Sequence, residues 1–407
     1  MRHESRNPYP WRRDAQPGPE LAGTNLARAG DHNQRVTLHA IRVNGPVTRH
    51  ELSEQTGLTP AAIANITARL LKNRLILDAG RRRGQRGQPA SKFVVNPDGG
   101  FSIGLNVDRD HVTLVIVDFA GRARARSSRE IAFAQPVTLR EFFRRSVGHL
   151  LAKSAIDRAR LVGIGIAFPD DIARAHLPDQ PQEYAAWSNV RVDDLLRDVL
   201  GIPIFIENDA AAAAIGEMQF GAGHKFRTFF YLLVTAALGG GLVIDGHYFR
   251  GATGRSGEIG LLRGPAGVGE RAQLQKIVSL SNLCRMLAVG GHRIASPAGL
   301  ARLEPGARAI VTRWIDESSA AMVEPLLAVN CLINPEAILI GGRLPGGLID
   351  QLAAALNRRL ADHAGQIPAV APVQRAQLAD DAPAVGAAIL AFNARLLPLR
   401  DALWKPG

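Results

Sequence analysis

Between Ile202 and Gly260 an apolar strand runs directly into carboxylates and an amide, and this juxtaposition limits the possible folds more than any other stretch. Ile202-Pro203-Ile204-Phe205-Ile206 predicts a buried strand, and Ala210 to Ala214 predicts the start of a helix. Glu207, Asn208 and Asp209 therefore fall at the strand's carboxyl end. Burying such groups costs free energy unless each finds a partner, and in open α/β sheets that end of a strand is where ligands bind. Thr228 to Thr235 predicts a central strand, Gly239-Gly240-Gly241 a turn, Leu242 to Ile244 another strand, and Asp245-Gly246 a hairpin turn. The following Gly251-Ala252-Thr253-Gly254-Arg255-Ser256-Gly257-Glu258-Ile259-Gly260 is too rich in glycine for regular structure and reads as a loop shaped for close approach.

The rest of the chain tells where this unit sits. At 407 residues and 46% hydrophobic composition, two or three domains with a large core are expected. Residues 1–97 hold 16 Lys and Arg against 7 Asp and Glu, a net of +9, which leaves +3 of the total +12 for the remainder. A basic excess confined to one quarter points to a polyanion partner, nucleic acid first. Residues 1–31, rich in Pro, Gly and charge, read as a disordered basic tail, which accounts for part of the excess. No signal-peptide core and no run of ~20 apolar residues is present, so a cytoplasmic location without membrane insertion is expected. Cys284 and Cys331 are too few and too far apart for a disulfide framework or a cysteine-rich zinc site.

Residues 32–96 carry the pattern of a winged helix-turn-helix. Val36, Leu38, Ala40, Ile41 and Val43 suit a first helix from Gln34 that stops at Asn44-Gly45-Pro46. Thr48-Arg49-His50-Glu51 is a capping box for a second helix, Gly57-Leu58 the turn, and Thr59-Pro60 the opening of a third that runs to about Asn73 with Ile63, Ile66 and Leu70 inward. Its outward residues begin Ala61, Ala62, Ala64 and Asn65. Small side chains let a helix sit deep in a major groove, Asn65 suits an adenine edge and Ala62 a thymine methyl. Thr59, Arg69 and Lys72 are placed for phosphates, and Thr48 and Arg49 are counted among the DNA-binding residues. A helical hairpin used only for dimerisation would show the same caps. Leu75-Ile76-Leu77 and Lys92-Phe93-Val94-Val95 read as the wing, and Arg81, Arg82, Arg83 and Arg86 between them as a basic loop on DNA or a solvated tip.

Residues 97–407 begin with Asn96-Pro97-Asp98-Gly99-Gly100 as a hinge. Phe101 to Val107, His111 to Asp118 and Ala123 to Phe133 predict three antiparallel strands, and Leu161 to Phe168 a buried parallel one. Trp187 reads equally as core or cleft lining. Leu326 to Ile333 suits a helix, Glu336 to Ile340 a strand ending at Gly341-Gly342, and Asp380 to Ala388 a closing helix.

The order Glu207-Asn208-Asp209-Ala210, the glycine triplet, Arg250-Gly251-Ala252 and Gly257-Glu258-Ile259-Gly260 resembles the signature of the ROK family (repressors, open reading frames, sugar kinases), with gaps, from about Gln34 to Phe392. The resemblance implies a duplicated actin-like (ribonuclease H-like) α/β pair of lobes with hexose in the cleft. It assigns Asn208, Asp209, Glu258 and Gln275 to sugar, with Asp209 at the place of the kinases' general base; taken alone, Asp209 before an alanine run reads rather as a structural helix cap, and it is Asn208 and Glu258 beside it that turn the reading to sugar.

Two departures from the family pattern matter. Where kinases cradle ATP phosphates with Asp-x-Gly-Gly-Thr, this chain has Asn106, Asp108, Arg109 and Asp110; acidic side chains repel phosphate and lost glycines block its approach. Where the family has a His and a cysteine cluster, this chain has Leu261 and no Cys or His from Arg263 to Gln275, so no zinc is expected. The expectation is a repressor of carbohydrate-metabolism genes without catalysis, with Asp209 a vestigial base and neither ATP nor metal as cofactor. Its partners are a palindromic double-stranded DNA operator and a sugar or sugar phosphate effector, and it is a homodimer or homotetramer. The alternatives are a sugar kinase with an extra domain and a ligand-free interaction protein.

Overall fold

The computed structural model describes residues 26–81, 90–154, 156–170, 182–264, 272–378 and 381–398. It begins with α1 (Leu26–Asn44), β1 (Val47–Thr48), α2 (Arg49–Thr56), α3 (Pro60–Lys72), β2 (Ile76–Arg81) and β3 (Ser91–Val95). The capping box forms: Thr48 Oγ1 accepts the Glu51 N–H at 3.3 Å while Glu51 Oε2 accepts the Thr48 N–H at 2.7 Å. Gly57, at φ 69°, closes α2 in the left-handed conformation, and Thr59 caps α3 with Pro60 in its first turn. Ile63, Ile66, Thr67 and Leu70 are the buried face of α3, as the spacing of its apolar residues requires. The three strands pair in the order β1-β3-β2, so the wing is a small sheet and not a simple hairpin.

The body follows as β4 (Phe101–Val107), β5 (His111–Asp118), β6 (Ala123–Glu130), α4 (Pro136–Lys153), β7 (Leu161–Ala167), α5 (Val192–Leu200), β8 (Ile204–Glu207) and α6 (Asp209–Phe220). A second set repeats the plan: β9 (Phe229–Val234), β10 (Leu238–Ile244), β11 (His247–Tyr248), α7 (Leu280–Val289), α8 (Pro305–Ile333), β12 (Ala337–Gly342), α9 (Gly346–Ala361), β13 (Val373–Arg375) and α10 (Ala382–Arg395). The sheets run β6-β5-β4-β7-β8 and β11-β10-β9-β12-β13. In each, the first three strands are antiparallel and the last three parallel, so the two lobes are copies of one topology. Each lobe's last helix crosses over: α10 packs on β4 and β7 of the first sheet, α6 on β10 of the second, and α6 and α10 pack on each other.

Close packing here depends on missing side chains. A Cβ on Gly165 would stand 1.7 Å from the Ala387 carbonyl oxygen, so only glycine in β7 lets α10 lie this near the sheet.

Several expectations need correction. Gly239-Gly240-Gly241 is not a turn but part of β10, paired with β9 throughout. The glycines serve packing: a Cβ on Gly240 would fall 2.3 Å from the Gly257 oxygen, and one on Gly241 2.6 Å from Ala214 Cβ. Helix α1 starts at Leu26, inside the segment read as a tail. Its first two turns lack the apolar spacing seen from Gln34 onward, so they carried no signal. Helix α8 runs 29 residues through Pro325, where only its last turns were expected. Trp187 is core, 1% exposed, and its Nε1–H donates to the Ala134 oxygen at 2.8 Å. The segment read as a hinge is tied down: Asn96 Nδ2 donates to the Arg74 oxygen at 2.7 Å and Arg124 pairs with Asp98 at 2.8 Å. Among the described residues no helix is long and apolar enough to cross a membrane.

Candidate functional site

The cleft between the lobes is lined by turns that the duplicated topology brings together: Arg109 from β4–β5, Asp170 after β7, Asn208 and Asp209 after β8, and Glu258 and Gln275 from the glycine loop and its sequel. All four residues that the sequence assigned to sugar thus line one cleft, of about 630 Å³ with its open mouth included. Asn208 caps α6, its Oδ1 accepting the Ala210 and Ala211 N–H groups at 3.0 and 3.1 Å. Asp209 Oδ1 also accepts the Ala210 N–H, at 2.8 Å. Burial first, and then the charge of Asp108, push the Asp209 carboxyl up to about 7, against the opposing pull of Arg109. Glu258 is held by Arg255 at 2.8 Å, and Arg255 also faces Asp170 at 3.4 Å.

The β4–β5 turn has become an ion network. Asp108 Oδ1 accepts the backbone N–H of Arg109 at 2.7 Å. Asp110 meets His111 Nδ1 at 2.8 Å and Arg343, from the end of β12 in the other lobe, also at 2.8 Å. Arg343 pairs with Glu130 as well. Burial pushes the Asp110 carboxyl up, but the His111 hydrogen bond and the nearby His111 and Arg343 charges outweigh it and hold it below the usual range. Asp108, Asp110 and His111 offer ligand atoms within 4.8 Å of one another, the one such cluster among the described residues. The Arg343 cation already on Asp110 opposes a metal ion there.

On the winged module, Thr59, Ala61, Asn65, Arg69 and Lys72 are exposed along one side of α3. Ala62 and Ala64 are half-buried and flank that side. Thr48 is committed to the cap. Arg49 is exposed but tied inside the module, Nε donating to Thr67 Oγ1 at 2.9 Å with the guanidinium 5.1 Å from the Phe93 ring centre. Arg81 ends β2; Arg82, Arg83 and Arg86 lie outside the described residues.

The module is docked on the body through α1, a contact the sequence did not announce. Leu38 and Ile41 share a core with Phe119, Phe392 and Leu397. Arg35 Nη1 donates to the oxygens of Ala394 at 3.1 Å and Leu397 at 3.3 Å. Arg42 donates to Gln219 Oε1 and lies 5.1 Å from the Phe220 ring centre, both residues at the far end of α6. Arg42, Arg109 and Arg255 are therefore functional candidates that sequence reasoning passed over. Arg42 meets Gln219 and Phe220, Arg255 meets Asp170, and Arg109 lines the cleft beside Asp209, company that distant segments supply and no local pattern marks.

A winged helical head on a duplicated two-lobed α/β body, with the cleft at the strands' carboxyl ends, defines the class. Residues 102–394 match the model of the ROK family, and the chain belongs to that family. It is 28% identical over 233 residues to the xylose repressor of Bacillus spizizenii, a match taking in 56% of this chain and 59% of that protein, so it spans less than two thirds of that relative. It is 24% identical over 316 residues to the DNA-binding transcriptional repressor Mlc of Escherichia coli, covering 74% and 78% of the two chains. Among solved structures, a ROK family transcriptional regulator described as a homologue of the Escherichia coli MLC protein superposes with TM-score 0.64 at 20% identity over 91% of this chain and 98% of that one. A ROK family glucokinase from Streptomyces griseus, in complex with glucose and AMPPNP, gives 0.55 at 21% identity over 72% and 99%. These two likenesses establish the fold.

Proposed function

We propose that this protein is a DNA-binding transcriptional repressor of carbohydrate genes whose cleft senses a sugar without phosphorylating it. The observation that carries the reading is the joining of an exposed α3 face (Ala61, Asn65, Arg69, Lys72) to a body whose β4–β5 turn is filled by the Asp110–Arg343 bridge. Carboxylates and a cross-lobe arginine stand where bare backbone amides would have to meet nucleotide phosphates. The named repressors among its relatives support the same reading. Asn208, Asp209, Glu258 and Gln275 are the sugar contacts in this account, and Thr59, Arg69, Lys72 and the wing arginines the phosphate contacts. Because one helix-turn-helix reads half a site, the active form is a symmetric oligomer on a palindromic operator. Ligand acts by favouring one arrangement of the lobes, and hence one spacing of the reading heads.

One observation favours a second reading, a sugar kinase: an Asp209 carboxyl titrating near 7 is well matched to general-base work. A single pair of measurements separates the two. Fragments bound by the purified protein are selected from its own genome with and without a panel of sugars, and phosphoryl transfer from ATP to the same sugars is assayed. Sugar-dependent fragment binding without turnover supports the repressor; turnover at an enzymatic pace, or no binding to any duplex at low salt, overturns it.

A further inference from the structure

Resting on the reading of the cleft as a sugar site, we propose that its ligand is an acidic sugar, whose carboxylate or phosphate is received by the guanidinium of Arg109. Arg109 is only 9% exposed yet lines the cleft alongside Asp209. Its Nε is buried and has no hydrogen-bond partner. The nearest paired carboxylate oxygen, Asp108 Oδ1, lies 4.0 Å from Nη1 and already accepts the backbone N–H of Arg109 at 2.7 Å. A buried guanidinium with unused donors is costly, and the cost is recovered only when an acceptor arrives.

The cleft's other guanidinium is differently placed. Arg255 is held by Glu258 at 2.8 Å and Asp170 at 3.4 Å, so it fixes those carboxylates in position. Arg109 is the cation with donors left over. An arginine fork matches the two oxygens of a carboxylate or phosphate, whereas a neutral sugar hydroxyl takes one donor and leaves the charge uncompensated. A second unused polar group lies within the electrostatic reach of Arg109: the buried Tyr184 hydroxyl has no partner.

The groups that would oppose an anion are Asp108, Asp110, Asp170, Asp209 and Glu258, of which Asp110 is already bridged to Arg343. Asp170 and Glu258 are neutralised by Arg255, and Asp108 faces Arg109 itself. Asp209, pushed up to about 7, carries its proton in slightly acidic solution and then donates to a ligand oxygen rather than repelling it.

The test is calorimetric titration of the full chain with neutral aldoses (glucose, galactose, xylose), their uronates and their terminal phosphates, using the natural protein, Arg109→Gln and Arg109→Lys. Circular dichroism of each variant verifies its fold. At least one acidic sugar should bind ~10-fold to 100-fold more tightly than its neutral parent, the worth of one charge-assisted pair. Arg109→Gln should abolish that preference, and Arg109→Lys, which keeps charge but not the fork, should retain part of it. The uronate and phosphate arms tell the two sources of anion apart. A neutral aldose that binds as tightly as its acidic partners, or a preference that survives Arg109→Gln, overturns the inference and leaves the sugar reading standing. If no member of the panel binds or alters DNA affinity, the sugar reading fails and the inference fails with it.

Discussion

Asp209 carries a pH signature that can be read without knowing any ligand. Burial, with the charge of Asp108 behind it, pushes its carboxyl up to about 7 in the folded protein, against an ordinary 3.8. Between those values the folded state binds more protons than the unfolded one, so stability falls as pH rises through this window and levels off above it. Asp209→Asn should flatten the slope and stabilise the protein above pH 7 by on the order of 2 kcal/mol, allowing for partial solvent contact at the cleft. Thermal melts at intervals from pH 5 to 8 decide this; parallel curves for both proteins would be the contrary result. On α3, Asn65 is exposed with nothing to do in the fold. Asn65→Ala should relax sequence preference, by about 1–3 kcal/mol at one base position, and leave nonspecific affinity nearly intact. Equal loss on every sequence, in a fluorescence anisotropy series, would assign it to phosphates instead. At this scale, the place of Asn208, Asp209 and Glu258 in one cleft was legible because polar groups set among apolar strands must have a reason to be there, and that of Gln275 only through the family resemblance. Arg109 and Arg42 were not, since what makes them unusual is the company supplied by segments far along the chain.

Helix α6 joins the cleft to the reading head. It is 12 residues long, about 18 Å. Asn208 caps it at the cleft, and Gln219 and Phe220 at its other end meet Arg42 of α1. Ala210 to Ala214 are all buried, and a Cβ on Gly386 of α10 would stand 1.7 Å from the Ala212 oxygen, so the two crossed helices are locked together. A helix packed this closely is suited to move as a unit, so α6 offers a route by which a displacement at Asn208 would be felt at α1. The double variant Gln219→Ala, Phe220→Ala should keep cleft binding but shrink the ratio of DNA affinities with and without effector; an unaltered ratio excludes α6 as the route. Lesser elements behave as their caps dictate: Thr48→Ala should cost about 1 kcal/mol by removing the α2 box, read from urea unfolding. Element types were legible from apolar period and capping chemistry. The glycines of β10 were misread because glycine marks both turns and close approach, and only the neighbouring helix, invisible in the local sequence, decides between them.

Taken as one molecule, the chain divides its labour by charge. Residues 1–97 carry +9 and the rest +3, an asymmetry plain in the sequence before any fold is known. The body spends its arginines on internal pairs, such as Arg343 with Asp110 and Glu130 across the lobes. The head leaves Arg69 and Lys72 exposed. Each phosphate neutralised on DNA releases condensed counterions, so the logarithm of affinity falls with the logarithm of salt by about 0.9 per contact. Replacing Arg81, Arg82, Arg83 and Arg86 together with Ala should therefore weaken binding to every sequence alike and reduce that slope by roughly 2 to 4 per head. Titrations between about 50 and 200 mM salt resolve a change of this size easily. Since the substitutions leave α3 and its Asn65 untouched, the rank order of operator variants should stay fixed while all affinities drop. A slope that does not move would mean that the loop never touches the duplex, and that α3 with Arg69 and Lys72 makes the phosphate contacts alone.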